Sequence, residues 1–223
     1  MSQRVFKSRV RTPGSRPVAL PVAWLLLLLA SAPAMAIEQP RFAVEDRDGA
    51  FELRRYAPYL VAETRVVGAR FEEAGNVAFR RLFRYISGQN EAQQKIAMTA
   101  PVTQAPSEKI AMTAPVAQVA DADGYRVAFV VPAKYTRETV PRPLDPSIEI
   151  REVPGQLVAA WRYTGRWTAA NYRENEAFLR ARMQARSLVA AGPPVLARYD
   201  PPFMPAFLRR NEILIPVQAR AVE

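Results

Sequence analysis

One stretch of eighteen residues occurs twice in this chain. Phe51–Gly68 and Ile148–Gly165 align without a gap, and seven positions are identical: Glu52, Arg54, Leu60, Val61, Ala62, Arg65 and Gly68 recur as Glu149, Arg151, Leu157, Val158, Ala159, Arg162 and Gly165. Phe51–Tyr56 alternates apolar and polar residues, the period of a strand buried on one face, and a second run, Tyr59–Val67, follows the bend at Ala57-Pro58. Each copy ends on a glycine and leads into a helical pattern. Two copies of strand–strand–helix predict an internal duplication, with halves at about 45–131 and 147–217 and a proline-rich linker over 132–146.

The rest of the chain fills in around this frame. Ile37–Arg47 reads as a lead-in with a short strand. Phe71, Ala74, Ala78, Phe79, Leu82, Phe83 and Ile86 recur at helical spacing, with Arg80, Arg81 and Arg84 on the other side or its border. Ser87-Gly88-Gln89-Asn90 is expected to close that helix. An octapeptide follows, written twice: Lys95–Val102 and Lys109–Val116. Alternation predicts that each copy is a short strand, with Pro101 and Pro115 at strand ends, edges or bulges. Met98 and Met112 then either pack in the core, the preferred reading, or line a ligand cavity. Ala120–Gly124 reads as a turn and Tyr125–Val131 as a strand. The second helix is expected from the cap at Thr168 to Ala191, with Tyr172, Leu179 and Met183 on one face and Gly192-Pro193-Pro194 as its stop. Strands over Val195–Tyr199 and Ile213–Val217 finish the chain. The polar run before the last strand, within Phe207–Glu212, is expected to make local ion pairs and turn hydrogen bonds. Together these elements predict an α+β domain, mainly antiparallel, with helices packed on a curved sheet or barrel.

Residues 1–36 have the layout of a secretory signal peptide. Arg4, Lys7, Arg9, Arg11 and Arg16 precede an apolar run through Leu25–Leu29, which ends at Ala34-Met35-Ala36. Cleavage after Ala36 would send residues 37–223, a single domain, to the periplasm or outside the cell. An uncleaved leader would anchor it in the inner membrane, the one membrane contact expected. Five of the ten net positive charges lie in this leader. The remaining charge of about +5 does not point to nucleic acid and suits a preference for anionic ligands.

The absence of both cysteine and histidine removes whole reaction classes. Disulfide scaffolds, Cys–His and Ser–His nucleophiles and ordinary zinc sites are excluded. The acids at Asp46, Asp48 and Glu52, and at Asp121 and Asp123, match no metal loop and read as turn residues. A binding role, not catalysis, is the expectation.

Lys-Ile-Ala-Met-Thr-Ala-Pro-Val, the Phe51–Tyr56 strand, Val153-Pro154 and the terminal Tyr199-Asp200-Pro201-Pro202 with Arg209-Arg210-Asn211-Glu212 resemble the SOUL, or heme-binding protein, family, over roughly Glu45–Val217. The resemblance implies a distorted antiparallel β-barrel of two pseudo-symmetric strand–helix–strand repeats flanked by two helices, similar to effector-binding domains of bacterial regulators. It also implies binding of heme or another tetrapyrrole. Phe79 and Phe83 fall on apolar pocket positions of the first helix and Arg84 on a basic one, with Arg80 beside it. Asn76 and Met204 stand where two further basic residues are expected. A histidine axial ligand is impossible here, which leaves Met204, Met98 and Met112 as the soft candidates, with the metal ligand undecided. The expected function is an exported, non-enzymatic tetrapyrrole binder held by aromatic contacts and an arginine. The alternative is an effector-type module for another small amphipathic ligand or a protein partner.

Overall fold

The computed structural model describes residues 37–92 and 107–219. The leader, the first octapeptide with Met98, and the last four residues lie outside the described residues. The strands are β1 (Phe42–Asp48), β2 (Phe51–Tyr56), β3 (Tyr59–Val67), β4 (Asn90–Glu91), β5 (Val116–Asp121), β6 (Gly124–Val130), β7 (Arg142–Pro143), β8 (Ile148–Val153), β9 (Gln156–Tyr163), β10 (Leu188–Ala190), β11 (Val195–Arg198) and β12 (Asn211–Ala219). The helices are α1 (Phe71–Ile86) and α2 (Ala169–Ala185), and one 3-10 turn spans Ala206–Leu208.

Ten strands form one antiparallel sheet in the order β1-β2-β9-β12-β11-β5-β6-β3-β8, with β10 added beside β12, while β4 and β7 pair separately. The order is pseudo-symmetric. Exchanging β2, β3, β5 and β6 with β8, β9, β11 and β12 reverses the path from β2 to β8 without changing it. The register follows the same rule: Phe51 pairs with Trp161, and their counterparts in the other half, Ile148 and Thr64, pair with each other. The sheet curls into a half-barrel with β1 and β8 as its edges, and both helices flank it, as the sequence predicts.

Strand alternation sorts the side chains into two layers. Ala62, Val66, Val127 and Phe129 face α1 and pack with Ala74, Ala78, Leu82, Tyr85 and Ile86. Phe51, Ala159, Leu196, Ile213 and Ile215 form a second core with Leu179 and Met183 of α2. Phe71 bridges the two, its ring 5.9 Å from Tyr125 and 5.2 Å from Tyr172. The other face of the sheet carries a smaller cluster of Val61, Ala128 and Val153.

Two local expectations need correction. The second helix ends at Ala185, not Ala191: Ser187 turns the chain with φ 54, and Leu188–Ala190 then pairs with Val217–Ala219 as a strand. Gly192-Pro193-Pro194 follows that strand and does not stop the helix. The second octapeptide is also not a strand except at Val116. Its backbone is held elsewhere, with Ile110 N–H donating to the Ile86 carbonyl (2.8 Å) and Ala114 N–H to Glu38 (2.9 Å), while the Thr113 hydroxyl donates to the Val130 carbonyl. Those groups are therefore spent on three different elements, and the alternating pattern has no partner strand to read it.

Candidate functional site

The outward side of α1 is unusual for an exposed helix face because it is aromatic. Phe79 sits at the border of the core, edge-on to Phe129 with centroids 5.3 Å apart. One turn on, Phe83 stacks on Phe79 at 5.8 Å with 12° between the rings, and remains 45% exposed. Arg80 and Arg84 stand beside the pair, both exposed, with Arg84 Nε donating to the Arg80 carbonyl at 3.3 Å. Neither has a carboxylate partner among the described residues. Arg81 differs, since its Nη1 donates to the Arg65 carbonyl at 3.0 Å and pins the helix to β3. These residues and Val77 line a shallow cleft of about 540 Å³. A flat apolar surface bordered by unpaired guanidiniums suits a disc-shaped ligand with acidic substituents.

The structure thus brings together Phe79, Phe83, Arg80 and Arg84. Met112 lies at the far edge of the same surface, in a recess shared with Phe83, Ile86 and Lys109. It is 44% exposed, so the core reading of this methionine is corrected: it is a surface thioether. Met204 is not in the aromatic cleft.

Met204 lies instead in a second cleft, of about 580 Å³, between Glu72 and Asn76 at the start of α1, Arg166–Thr168 ahead of α2, and the loop Pro202–Ala206. Sequence reasoning missed its principal residues. Arg198 of β11 points up between the helices and is only 8% exposed. Its Nη2 donates to Gln118 Oε1, its Nε finds no partner, and its guanidinium lies 5.0 Å from the Trp167 ring. Burial pushes Arg198 down to about 10, so it still carries its charge at neutral pH. Arg209 covers the same ring at 4.4 Å and holds the loop through the carbonyls of Met204 (2.8 Å) and Pro202 (2.5 Å). Asn211 fixes the indole by accepting from Trp167 Nε1 at 2.7 Å.

The terminal run Arg209–Glu212 therefore builds structure, as the sequence predicts. Arg210 donates to Glu212 (2.8 Å) and covers the Tyr199 ring at 3.8 Å. Glu212, on the inner face of the sheet, also takes Arg54 and the Tyr199 hydroxyl. The inner face encloses one hollow of about 60 Å³, lined by residues such as Tyr56, Tyr59, Val158 and Leu214. Among the described residues, no group of three or more acids is placed to hold a metal ion.

Comparison with known proteins agrees with this architecture. The pattern of the SOUL heme-binding protein family matches residues 37–216. Heme-binding protein 1 of Xenopus tropicalis is 29% identical over 171 residues, covering 75% of this chain and 84% of that protein. Human heme-binding protein 2 is 41% identical over 76 residues, 32% of this chain and 37% of its own length. Among solved structures, the C-terminal domain of EcmrR superposes with a TM-score of 0.56 at 11% identity, covering 76% of this chain and 97% of that one, a likeness of fold alone. With the strand order, the paired helices and a match over most of its length, the chain belongs to the SOUL heme-binding protein family.

Proposed function

We propose that this protein binds heme or a related tetrapyrrole on the outer face of α1 and does not transform it. The observation that carries this reading is the exposed Phe79–Phe83 stack flanked by Arg80 and Arg84. The rings offer a flat apolar surface to a macrocycle, and Arg84 can take a propionate through two parallel N–H bonds. The names of related proteins support the ligand class. With no histidine in the chain, attachment rests on the disc and its carboxylates, and the thioether of Met112 shares a recess with Phe83. Heme, when bound, would supply its own redox and ligand chemistry; this chain's residues hold and orient it. The cleft is lined by valine, phenylalanine and arginine, which provide neither a nucleophile nor a carboxylate or imidazole base.

Absorbance titration of the purified protein with hemin, run beside metal-free porphyrin, tests the reading. Saturable binding of both with similar affinity is expected, because the iron is not the main handle. Absence of a saturable change with either ligand overturns it.

An effector-type ligand enclosed within the sheet has less to stand on. The inner hollow of about 60 Å³ is far below the roughly 300–1,000 Å³ of ordinary ligand pockets. We further read residues 1–36 as an export leader, which places the domain in the periplasm or outside the cell. N-terminal sequencing of protein from fractionated cells is expected to begin at Ile37, and a retained leader would leave the protein membrane-anchored.

A further inference from the structure

The loop between β11 and β12 is closed at its base and apolar at its tip. Tyr199 N–H donates to the Arg210 carbonyl (3.2 Å) and Arg210 N–H to the Asp200 carboxylate (2.5 Å), which holds the two ends of the loop together. Beyond that closure stand Phe203, Phe207 and Leu208, which are 84%, 73% and 59% exposed. Neither phenylalanine packs on another ring among the described residues. Phe207 and Leu208 line neither of the two clefts. Large apolar side chains exposed so close together mark a contact surface, unlike apolar residues scattered singly.

The backbone of this loop is largely satisfied from within. Pro201, Pro202 and Pro205 have no N–H to pair. Met204 N–H donates to the Pro201 carbonyl (3.1 Å), Leu208 N–H to Pro205 (2.9 Å) and Arg209 N–H to Ala206 (3.2 Å). The Arg209 side chain takes the Met204 and Pro202 carbonyls, and Gly165 N–H donates to Ala206 (2.9 Å). A loop that meets only water gains little from this, because water pairs with free backbone groups. Contact with hydrocarbon demands it, since that phase offers no hydrogen bonds.

Unpaired cations stand next to the loop. Arg162 and Arg166 flank the Gly165 that binds it, and both are exposed. Neither forms an ion pair with a carboxylate among the described residues. The loop's own acid, Asp200, is taken up at the base by the Arg210 N–H, and Glu72, across the second cleft, by the Ala169 N–H. Apolar groups at a tip with cations behind them are the arrangement of an interfacial anchor: the former enter the acyl boundary and the latter meet the phosphates. A second copy fits less well, because the aromatic face of α1 that could receive the tip is rimmed by Arg80 and Arg84, so like charges would meet.

We propose that the Phe203–Leu208 tip docks this domain reversibly on an anionic lipid bilayer, with Phe207 and Leu208 inserted and Arg162 and Arg166 against the headgroups. The proposal does not rest on the tetrapyrrole reading.

The chain from Ile37 onward forms one compact unit and is the form to test, because a retained leader would bind lipid by itself. It is sedimented with vesicles of phosphatidylcholine alone and of phosphatidylcholine with phosphatidylglycerol at about three to one. Binding to the mixed vesicles that weakens in high salt, and that is several-fold weaker on phosphatidylcholine alone, is expected. Phe207→Ser combined with Leu208→Ser should reduce binding by roughly tenfold or more at an unchanged melting temperature, since neither side chain is buried. Arg166→Gln should lower binding to the mixed vesicles by about fivefold and hardly alter it on phosphatidylcholine. Hemin affinity of the Phe207 and Leu208 double variant should match wild type, so this proposal and the tetrapyrrole reading fail separately. The proposal is overturned if neither vesicle takes up the protein, or if the double variant binds as wild type does. It is also overturned if Phe83→Ala removes the binding instead, which would put the lipid on α1. A wild-type dimer that the double variant returns to monomer in analytical ultracentrifugation would assign the tip to a second copy and overturn it as well.

Discussion

Arg54 forks onto Glu212 across the inner face of the sheet, Nη1 at 2.6 Å from Oε2 and Nη2 at 3.0 Å from Oε1, with both side chains shielded from water. Arg210 and the Tyr199 hydroxyl complete the shell of the carboxylate, each at 2.8 Å. The pair joins β2 to β12, so it ties the first strand of one half to the last strand of the other. Removing one partner leaves the other charge buried alone. Glu212→Gln is therefore expected to destabilise the protein by about 3–5 kcal/mol in urea denaturation at pH 7. A loss below about 1 kcal/mol would show that neighbouring arginines are satisfied without the charge.

The same residue predicts an acid limb. Burial raises the Glu212 pKa, but Arg54 and Arg210 outweigh burial and hold it below the usual carboxylate range. A depressed folded value means that the unfolded chain binds the proton more readily. The stabilisation is thus complete above the unfolded value of about 4.3 and is lost as pH falls through the folded one. Stability curves of wild type and Glu212→Gln should converge below about pH 4 and run parallel above about pH 6. Parallel curves throughout would place the acid sensitivity on other carboxylates.

The ligand face gives a prediction that separates binding from folding. Phe83 is half exposed, whereas Phe79 also packs on Phe129. Phe83→Ala should hardly change the melting temperature yet weaken hemin and porphyrin by about 1–3 kcal/mol through lost apolar contact. Phe79→Ala should lower both. Arg84→Ala should cost less than Phe83→Ala, and that cost should fade in high salt as the ion pair is screened.

The aromatic cleft was legible in the sequence because one helix supplies it: Phe79, Phe83, Arg80 and Arg84 lie within two turns, and helical periodicity places them together. The β2–β3 and β8–β9 units were legible for a similar reason, since alternation is local and was stated twice. The second cleft was not. Arg198 faces the helices by strand parity, but Gly75, Gln118, Trp167 and Arg209 come from four separate segments, of which the β5–β11 pairing brings only Gln118. The octapeptide misled for the opposite reason. Its pattern is that of a strand, but long-range hydrogen bonds to Ile86 and Glu38 claim its backbone, and these leave no trace in local periodicity.

Gly75 offers a test of sign. Replacing a mid-helix glycine by alanine ordinarily stabilises a protein by up to about 1 kcal/mol. Here the added methyl group meets the Arg198 guanidinium, wedged between α1, Trp167 and Gln118. Gly75→Ala is expected to lower the melting temperature, and Gly75→Ala with Arg198→Gln to recover much of the loss. A stabilised single variant would show that Arg198 swings away freely.

Asn90 is nearly inaccessible and makes three hydrogen bonds, donating to the carbonyls of Tyr85 (2.7 Å) and Glu108 (2.8 Å) and accepting from Glu108 N–H (2.9 Å). It clamps the end of α1 to the stretch that enters the second octapeptide, where a simple cap was expected. Asn90→Ala leaves these groups without partners and should cost at least about 2 kcal/mol. Asn90→Asp should be worse at neutral pH, although it is closer in shape. The carboxylate keeps one acceptor but turns an oxygen, in place of the two N–H donors, toward two carbonyls, and burial opposes its charge. Its pKa must then rise, so the protonated form, which regains a donor, is favoured as pH falls. Urea denaturation at pH 7 and at pH 5 should show the Asp variant's deficit relative to Ala shrinking at the lower pH. A deficit that stays constant would mean that the side chain has turned out to water.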